Sequence, residues 1–366
     1  MKSSYKAVAL ISGGLDSLLA AKCIQEQGIH VEGINFYTGF CVEGHTHAIR
    51  KKEQSKHKRN NALWVAEQLN MPLHIIDVVE EYKNVVYQPK HGYGKHLNPC
   101  LDCKVFMVTK AYEWLQENGF DFIITGEVIG QRPKSQRRDT MNVVKKSSGA
   151  QDRLLRPLSA KLLEPTLPEK MGWVDREKLF DFNGRGRHHQ IALAQTYGIK
   201  DYAQPAGGCC FLTDQYYSAK LLDLWQSHGH KQYELDDIML LKVGRHLRPR
   251  SHFKMIIGRE EGENNFLSGY RKQFTHLKSS DCIGPLALID GELQSEADYQ
   301  LAAQILGRFC KCDDNTLIEV QIHPLKGEPV HLKVFPLQRH EIPNHWYVEK
   351  QSLTQKQSIP TEIVIT

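Results

Sequence analysis

Three stretches of this sequence combine residue types and spacings that can do chemistry. The first is Ser12-Gly13-Gly14-Leu15-Asp16-Ser17. Adjacent glycines let a backbone come close to a ligand. The N–H groups of a helix start, with the Ser12 and Ser17 hydroxyls, would point at an anion. Asp16 is out of place in a bare phosphate cradle, because a carboxylate repels phosphate. A divalent ion between Asp16 and the phosphates resolves the conflict. The second stretch is Asn98-Pro99-Cys100-Leu101-Asp102-Cys103-Lys104. It reads as a helix opening, with Asn98 as N-cap and Pro99 at the first helical position. Cys100 and Cys103 then share one face of the first turns, where a helix N-terminus favours thiolates. The third is Gly207-Gly208-Cys209-Cys210, a tight turn that leaves a thiol reachable. Cys100, Cys103 and Cys209 could hold three irons of a 4Fe–4S cluster with the fourth iron open. Alternatively, Cys103 and Cys209 form a persulfide or disulfide pair.

These residues need elements to position them. Ala7–Ile11 reads as a buried strand ahead of the glycine pair, and Leu18–Ala21 as the helix after it. Val31–Tyr37, Leu73–Asp77 and Phe122–Thr125 read as further strands. Asn60–Asn70 reads as a helix with Leu63, Ala66 and Leu69 inward, and Cys103–Asn118 as one with Val108, Ala111 and Leu115 inward. That alternation predicts an α/β, doubly wound parallel sheet with ligands at the carboxyl ends of its strands, where both Ser12 and Gly126 fall. Residues 1–150 would form this domain. Residues 151–213, with short helices at Asp175–Phe182 and His188–Tyr197, would carry the last cysteine motif. Residues 214–366 would be a smaller α+β domain, with a helix at Ser295–Phe309 capped by Ser295.

Basic residues gather in two segments of the first domain. Gly44–Arg59 is rich in His, Lys and Arg and reads as a mobile flap or a solvated loop. Residues 128–156 hold Arg132, Lys134, Arg137, Arg138, Lys145, Lys146, Arg153 and Arg156 against Asp139 and Asp152. With no helix or strand period over most of its length, that stretch reads as a long irregular loop suited to phosphate backbones, or else a solvated charge run. Lys242–Arg248 is a third basic stretch that could touch RNA.

The 366 residues allow two or three domains, and the 41% apolar content is enough for packed cores. No apolar run is long enough to cross a membrane, and no apolar leader precedes the first strand, so a cytoplasmic protein is expected. Nine cysteines, unevenly spaced, speak for metal or catalytic use rather than a disulfide framework. Cys23 reads as core, and Cys41, Cys282, Cys310 and Cys312 as structural. The formal charge of +5 permits a polyanionic partner. Neither a G-x-x-x-x-G-K-[ST] loop nor a G-x-G-x-x-G loop occurs at these glycines.

The first stretch resembles the PP-loop, S-G-G-x-D-S, of the ATP pyrophosphatase superfamily, whose fold is adenine nucleotide α-hydrolase-like. With Asn98-Pro99-Cys100-x-x-Cys103-Lys104, Thr125-Gly126 and Gly208-Cys209-Cys210-Phe211, the chain over about residues 5–215 is similar to the MnmA family of tRNA 2-thiouridylases. The resemblance implies ATP and Mg2+ as cofactors, with Ser12, Gly13, Gly14, Leu15, Asp16, Ser17 and Gly126 around the nucleotide. It implies Cys103 with Cys209 or Cys210 for sulfur handling, Cys209 being preferred, and some related tRNA thiolases hold a 4Fe–4S cluster on three cysteines. The partners implied are tRNA and a sulfur donor, either a persulfide-carrying protein or sulfide. Where the family has T-G-H-Y this chain has Thr125-Gly126-Glu127-Val128, and Gly130–Gln136 departs too, so the chemistry carries over better than the target nucleotide. The competing readings are a PP-loop ligase or amidotransferase acting on a small molecule, and a non-catalytic RNA-binding protein.

Overall fold

β1 (Lys6–Leu10) is apolar on both faces because it lies in the middle of a sheet covered on both sides. The computed structural model describes residues 5–42, 60–203, 208–313 and 315–350. The basic segment 44–59, Pro205-Ala206-Gly207 and the last residues lie outside them. Two compact units result, one ending at Cys209 and the other beginning at Cys210.

In the first unit the chain runs β1, α1 (Leu15–Gln25), β2 (His30–Tyr37), α2 (Asn61–Gln68), β3 (Leu73–Asp77), α3 (Val79–Tyr87), α4 (Cys100–Asn118), β4 (Phe122–Thr125), α5 (Arg138–Ser147), β5 (Leu154–Leu155), α6 (Leu167–Lys170) and α7 (His188–Thr196). All five strands are parallel, in the order β3-β2-β1-β4-β5. The expected doubly wound α/β sheet is present. α1 buries Leu15, Leu18, Leu19, Ala20, Ala21, Cys23 and Ile24, so it is a core helix rather than an amphipathic one. Cys23 is core as expected. The 151–209 segment adds Leu155, Leu158, Val174, Leu179, Phe182 and Leu193 to the same core, which is why it packs with the sheet.

Local expectations fared unevenly. Asn60 caps α2, its side-chain oxygen accepting from the N–H groups of Ala62 at 2.9 Å and Leu63 at 3.2 Å. The inward face of α2, however, is Ala62, Val65, Ala66 and Leu69, and Leu63 is half exposed. That set is i, i+3, i+4, i+7, a better helical stripe than Leu63 offers. Residues 128–156 are less irregular than their composition suggests. α5 occupies 138–147, burying only Met141 and Val144. Its start is held by the Thr140 hydroxyl, which accepts from the Arg137 N–H at 3.1 Å. Two buried residues in ten, with Val143 beside them, are too few to show a period. Between Asp175 and Phe182 there is only a 3-10 turn, Arg176–Lys178.

The second unit contains α8 (Gln215–His228), α9 (Leu235–Leu240), β6 (Arg245–Arg250), β7 (Phe253–Ile257), α10 (Glu261–Ser268), β8 (Thr275–Ser279), β9 (Ala287–Gly291), α11 (Glu296–Gly307), β10 (Ile318–His323) and β11 (Val330–Val334). Its strands form an antiparallel sheet in the order β11-β10-β8-β9-β7-β6. Ser295 caps α11 as expected, accepting from the Asp298 N–H at 3.3 Å. Together with its helices this is the α+β domain expected at the C-terminus.

The basic stretch 242–248 is largely consumed inside this unit. Arg248 donates to both carboxylate oxygens of Asp223, at 2.5 and 2.8 Å. Lys254, 1% exposed, bonds Asp223 at 3.2 Å and Asp290 at 2.8 Å. His246 is fully buried, and Lys242 nearly so. Arg248 and His246 are thus committed to partners inside the unit, since a polar group is buried without loss only when it is paired.

Burial alone would raise the Asp223 carboxyl, but Arg248 and Lys254 outweigh it and hold its pKa below the ordinary carboxylate value. Its stabilisation is thus complete above the unfolded-state pKa and is lost as pH falls through the folded one. Asp223→Asn leaves Lys254 and Arg248 with a buried, unbalanced charge, and should destabilise this unit by about 3–5 kcal/mol at pH 7. Denaturant unfolding at a series of pH values should show the gap between variant and wild type closing in acid. A gap independent of pH would remove the ion pair as its cause.

Candidate functional site

The Ser12–Ser17 loop is built by the end of β1 and the first turn of α1. Gly13 has φ of 77°, and a Cβ there would stand 2.6 Å from the Asn61 Cβ, so the position admits only glycine. Gly14 is the N-cap of α1 and has no side chain to bond the first-turn N–H groups. Ser17 donates to the Gly14 carbonyl at 2.8 Å, and the Ser12 hydroxyl, which is exposed, lies 3.4 Å from that of Ser17. At the end of β4, Gly126 lies flat against the same turn. A Cβ there would sit 2.5 Å from the Ser17 backbone nitrogen.

Asp16 has two unlike oxygens. Its Oδ2 accepts from Gln131 Nε2 at 2.8 Å and faces the Arg187 guanidinium at 3.5 Å. Its Oδ1 is buried and has no hydrogen-bond partner. A buried, unpaired carboxylate oxygen beside an anion cradle fits a divalent cation whose other ligands are phosphate oxygens. Gln131 and Arg187 were not singled out in the sequence. Arg187 belongs to Gly184-Arg185-Gly186-Arg187-His188-His189, a glycine-spaced basic run ahead of α7, and that composition was the available signal. It reaches Asp16 because Ile129 pairs with Asn183 and its carbonyl accepts from the Gly184 N–H at 2.7 Å.

The cysteines come from the same edge of the sheet. α4 returns the chain to the start of β4, so it begins at the carboxyl edge, where the Ser12–Ser17 loop also lies. Cys100 is the first residue of α4, and Pro99 takes the cap position expected of Asn98. The Asn98 side-chain oxygen instead accepts from Cys100 Sγ at 3.2 Å. Cys100, Cys103 and Cys209 stand within electrostatic reach of one another. Cys209 is exposed; Cys100 and Cys103 are half-buried. Cys210 begins the second unit, its carbonyl accepting from the Thr213 hydroxyl at 2.8 Å.

The helix start does not yield the low thiol pKa values expected of it. Burial pushes the Cys103 thiol up to about 12, with the neighbouring Cys209 adding to the rise and Tyr82 and Lys104 opposing it. Burial and Cys209 raise Cys100 too, against Arg132, Lys134 and Lys104. Among the described residues, no three His, Cys, Asp or Glu side chains are grouped so as to hold a metal ion.

Glu127 explains one departure from the thiouridylase pattern. It is 2% exposed, accepting from the Thr125 hydroxyl at 2.9 Å and from Arg156 Nε at 3.0 Å, with Lys104 Nζ at 3.9 Å. Burial would raise its carboxyl, but Lys104 and Arg156 outweigh burial and depress it. This carboxylate joins the helix start that carries Cys103 to the strand end that carries Gly126. Arg156 is thereby structural, as is Arg153, which donates to the Asp121 carbonyl at 2.6 Å. Arg132, Lys134, Arg137, Arg138 and Lys146 remain exposed. Lys134 and Arg137 line a pocket of about 220 Å³ together with Cys100, His91 and Thr140.

A family model described as the tRNA methyl transferase HUP domain matches residues 5–169, and one described as the NFACT protein RNA binding domain matches residues 244–347. A tRNA-specific 2-thiouridylase MnmA of Petrotoga mobilis is 32% identical over 133 residues, 35% of this chain and 36% of the relative. One of Leptospira biflexa is 24% identical over 361 residues, 92% of this chain and 84% of the relative. A 4-thiouridine synthetase solved with RNA and ATP aligns with a TM-score of 0.33 at 21% identity, covering 43% of this chain and 37% of that one. The alignments to the first relatives span about a third of their length. The first unit thus has the HUP, or PP-loop, fold, and the chain resembles the MnmA-like tRNA thiouridylases. Among the described residues no helix is long and apolar enough to cross a membrane.

Glu127→Gln should lower the thermal midpoint of the first unit by roughly 10 °C, since breaking a buried pair costs about 3–5 kcal/mol. Calorimetry checks this, and Glu127→Asp should recover part of the loss. A midpoint unchanged in the Gln variant would mean that Lys104 and Arg156 are held by other contacts.

Proposed function

We propose that this protein is an ATP-dependent tRNA sulfurtransferase that activates a uridine base oxygen and replaces it with sulfur. The observation that carries the reading is one sheet edge bearing both the glycine cradle, with its unpaired Asp16 oxygen, and the Cys100, Cys103 and Cys209 thiols. The MnmA relatives and the match of residues 244–347 to an RNA-binding family model support the choice of tRNA.

In this reading the N–H groups of the Ser12–Ser17 turn and the two serine hydroxyls receive the ATP phosphates. Asp16 would hold Mg2+, which neutralises charge on those phosphates. The base oxygen attacks the α-phosphorus, pyrophosphate leaves, and AMP remains on the oxygen. Cys209, the exposed thiol, takes sulfur from a donor as a persulfide. Its outer sulfur attacks the activated carbon and AMP departs. The Cys103 thiolate then attacks the Cys209 sulfur, forming a Cys103–Cys209 disulfide and releasing the thiocarbonyl, and an external thiol later reduces that disulfide. Nothing here passes through an iron–sulfur cluster. Arg132, Lys134, Arg137 and Arg138 would contact tRNA phosphates.

Nucleoside analysis of RNA from cells with and without the gene tests the whole reading, and a thionucleoside should be missing without it. An unchanged nucleoside profile with altered metabolites would favour a ligase acting on a small molecule. In purified protein, Asp16→Ala should abolish pyrophosphate release while RNA binding survives. Cys209→Ser should keep pyrophosphate release and lose thiolation. Normal pyrophosphate release from Asp16→Ala would sink the assignment of the loop.

Replacing Arg137 and Arg138 together with Ala should weaken RNA binding. Each lost phosphate contact flattens the log–log salt dependence by about 0.7–0.9 units. A binding titration at several salt concentrations reads the slope, and an unaltered slope would mean that these residues are only solvated.

A further inference from the structure

Cys282, Cys310 and Cys312 have no pairing pattern in the sequence, yet the second unit brings them together. Cys282 lies in the loop between β8 and β9, and Cys310 and Cys312 follow α11. Backbone bonds fasten the two segments, the Lys311 N–H donating to the Ile283 carbonyl at 2.7 Å. The Cys282 N–H is anchored on the Ser279 hydroxyl at 3.1 Å, and Asp281 accepts from the Glu319 N–H of β10 at 2.9 Å. Gly284 passes so close to Cys310 that a Cβ there would overlap its sulfur. Cys310 is turned back on its own helix, its Sγ donating to the Leu306 carbonyl at 3.6 Å. The Lys311–Ile283 bond sets Cys282 and Cys312 on facing segments as neighbours against the same apolar cluster, close enough to interact electrostatically. All three thiols are half-buried, so small reagents reach them while the edge of the core shields them.

We propose that Cys282 and Cys312 are a reversible dithiol–disulfide pair, oxidised by thiol–disulfide exchange with small-molecule disulfides. One thiolate of the pair attacks a sulfur of the incoming disulfide, forming a mixed disulfide and expelling one thiolate. The second thiol of the pair, after losing its proton, attacks the protein sulfur of that mixed disulfide and expels the other small thiolate. The pair loses two protons and two electrons, and the small disulfide becomes two thiols. A disulfide needs sulfurs about 2.05 Å apart, so the neighbouring thiols must close by a movement of the β8–β9 loop. The bond would pin that loop to the end of α11 across β9 and α11. Burial, the Cys312 thiol and Asp281 push the Cys282 thiol up to about 11, and burial with the neighbouring thiols pushes Cys310 up to about 12. Exchange should therefore quicken as pH rises above neutrality.

The test uses the full chain, oxidised glutathione as the probe, an alkylating quench and peptide mapping by mass spectrometry. A Cys282–Cys312 linked peptide pair should form, disappear on reduction, and form in Cys310→Ser as well. The oxidised wild type should unfold at a higher temperature than the reduced protein, and Cys282→Ser and Cys312→Ser should lose that difference. Separate glutathione adducts on Cys282 and Cys312 with no link between them would overturn the proposal. So would a bond from either residue to Cys310 in place of the pair.

Discussion

The first unit depends on one close approach, that of Gly126 to the opening turn of α1. β4 ends with its backbone against Asp16 and Ser17, at a spacing no side chain could enter. That contact joins two neighbouring strands, β1 and β4, at the edge where a doubly wound sheet binds ligands. It fixes the Ser12–Ser17 turn with Ser12 at the surface, and it directs the next residue, Glu127, inward. Glu127 in turn draws Lys104 and Arg156 to itself, which places the start of α4 and its two cysteines over the same edge.

Electrostatics explains why the thiols there differ from the general expectation for a helix N-terminus. The helix dipole favours a thiolate by a modest amount, typically 0.3–1 kcal/mol at an exposed site. Desolvation acts against the charged form and can shift a buried group by several pKa units. At Cys103 desolvation wins, despite Tyr82 and Lys104. The exposed Cys209 and the half-buried Cys103 thus differ chiefly in solvation.

The second unit is organised by buried charge. Asp223, Lys254, Arg248 and Asp290 form a closed set within it, and fully buried His246 has its pKa driven well below the ordinary value by desolvation, with Lys220 and Lys254 adding to the effect. Such a network is weak evidence for stability as a whole but strong evidence that no single member can be removed cheaply. It also limits which basic residues of this unit remain for a polyanion.

Much of the architecture was legible in the chain itself. The alternation of strands and helices over residues 6–125 specified the parallel sheet, because strands covered on both faces read as unbroken apolar runs. The residue types at Ser12–Ser17 and at Asn98–Lys104 specified a glycine-built strand-to-helix turn and a thiol-bearing helix start, since only glycine admits the backbone at Gly13 and only cysteine offers a thiol. Tertiary structure alone decided which charges are free. Arg153 and Arg156 look like Arg137 and Arg138 in the sequence, but the first two are bound inside and the last two face water. It also decided that Leu63 points outward, that α5 exists on two buried residues, that Gln131 and Arg187 reach Asp16, and that the segments carrying Cys282 and Cys312 lie side by side. Each of these depends on which distant segment occupies the neighbouring space, and local sequence carries no record of that.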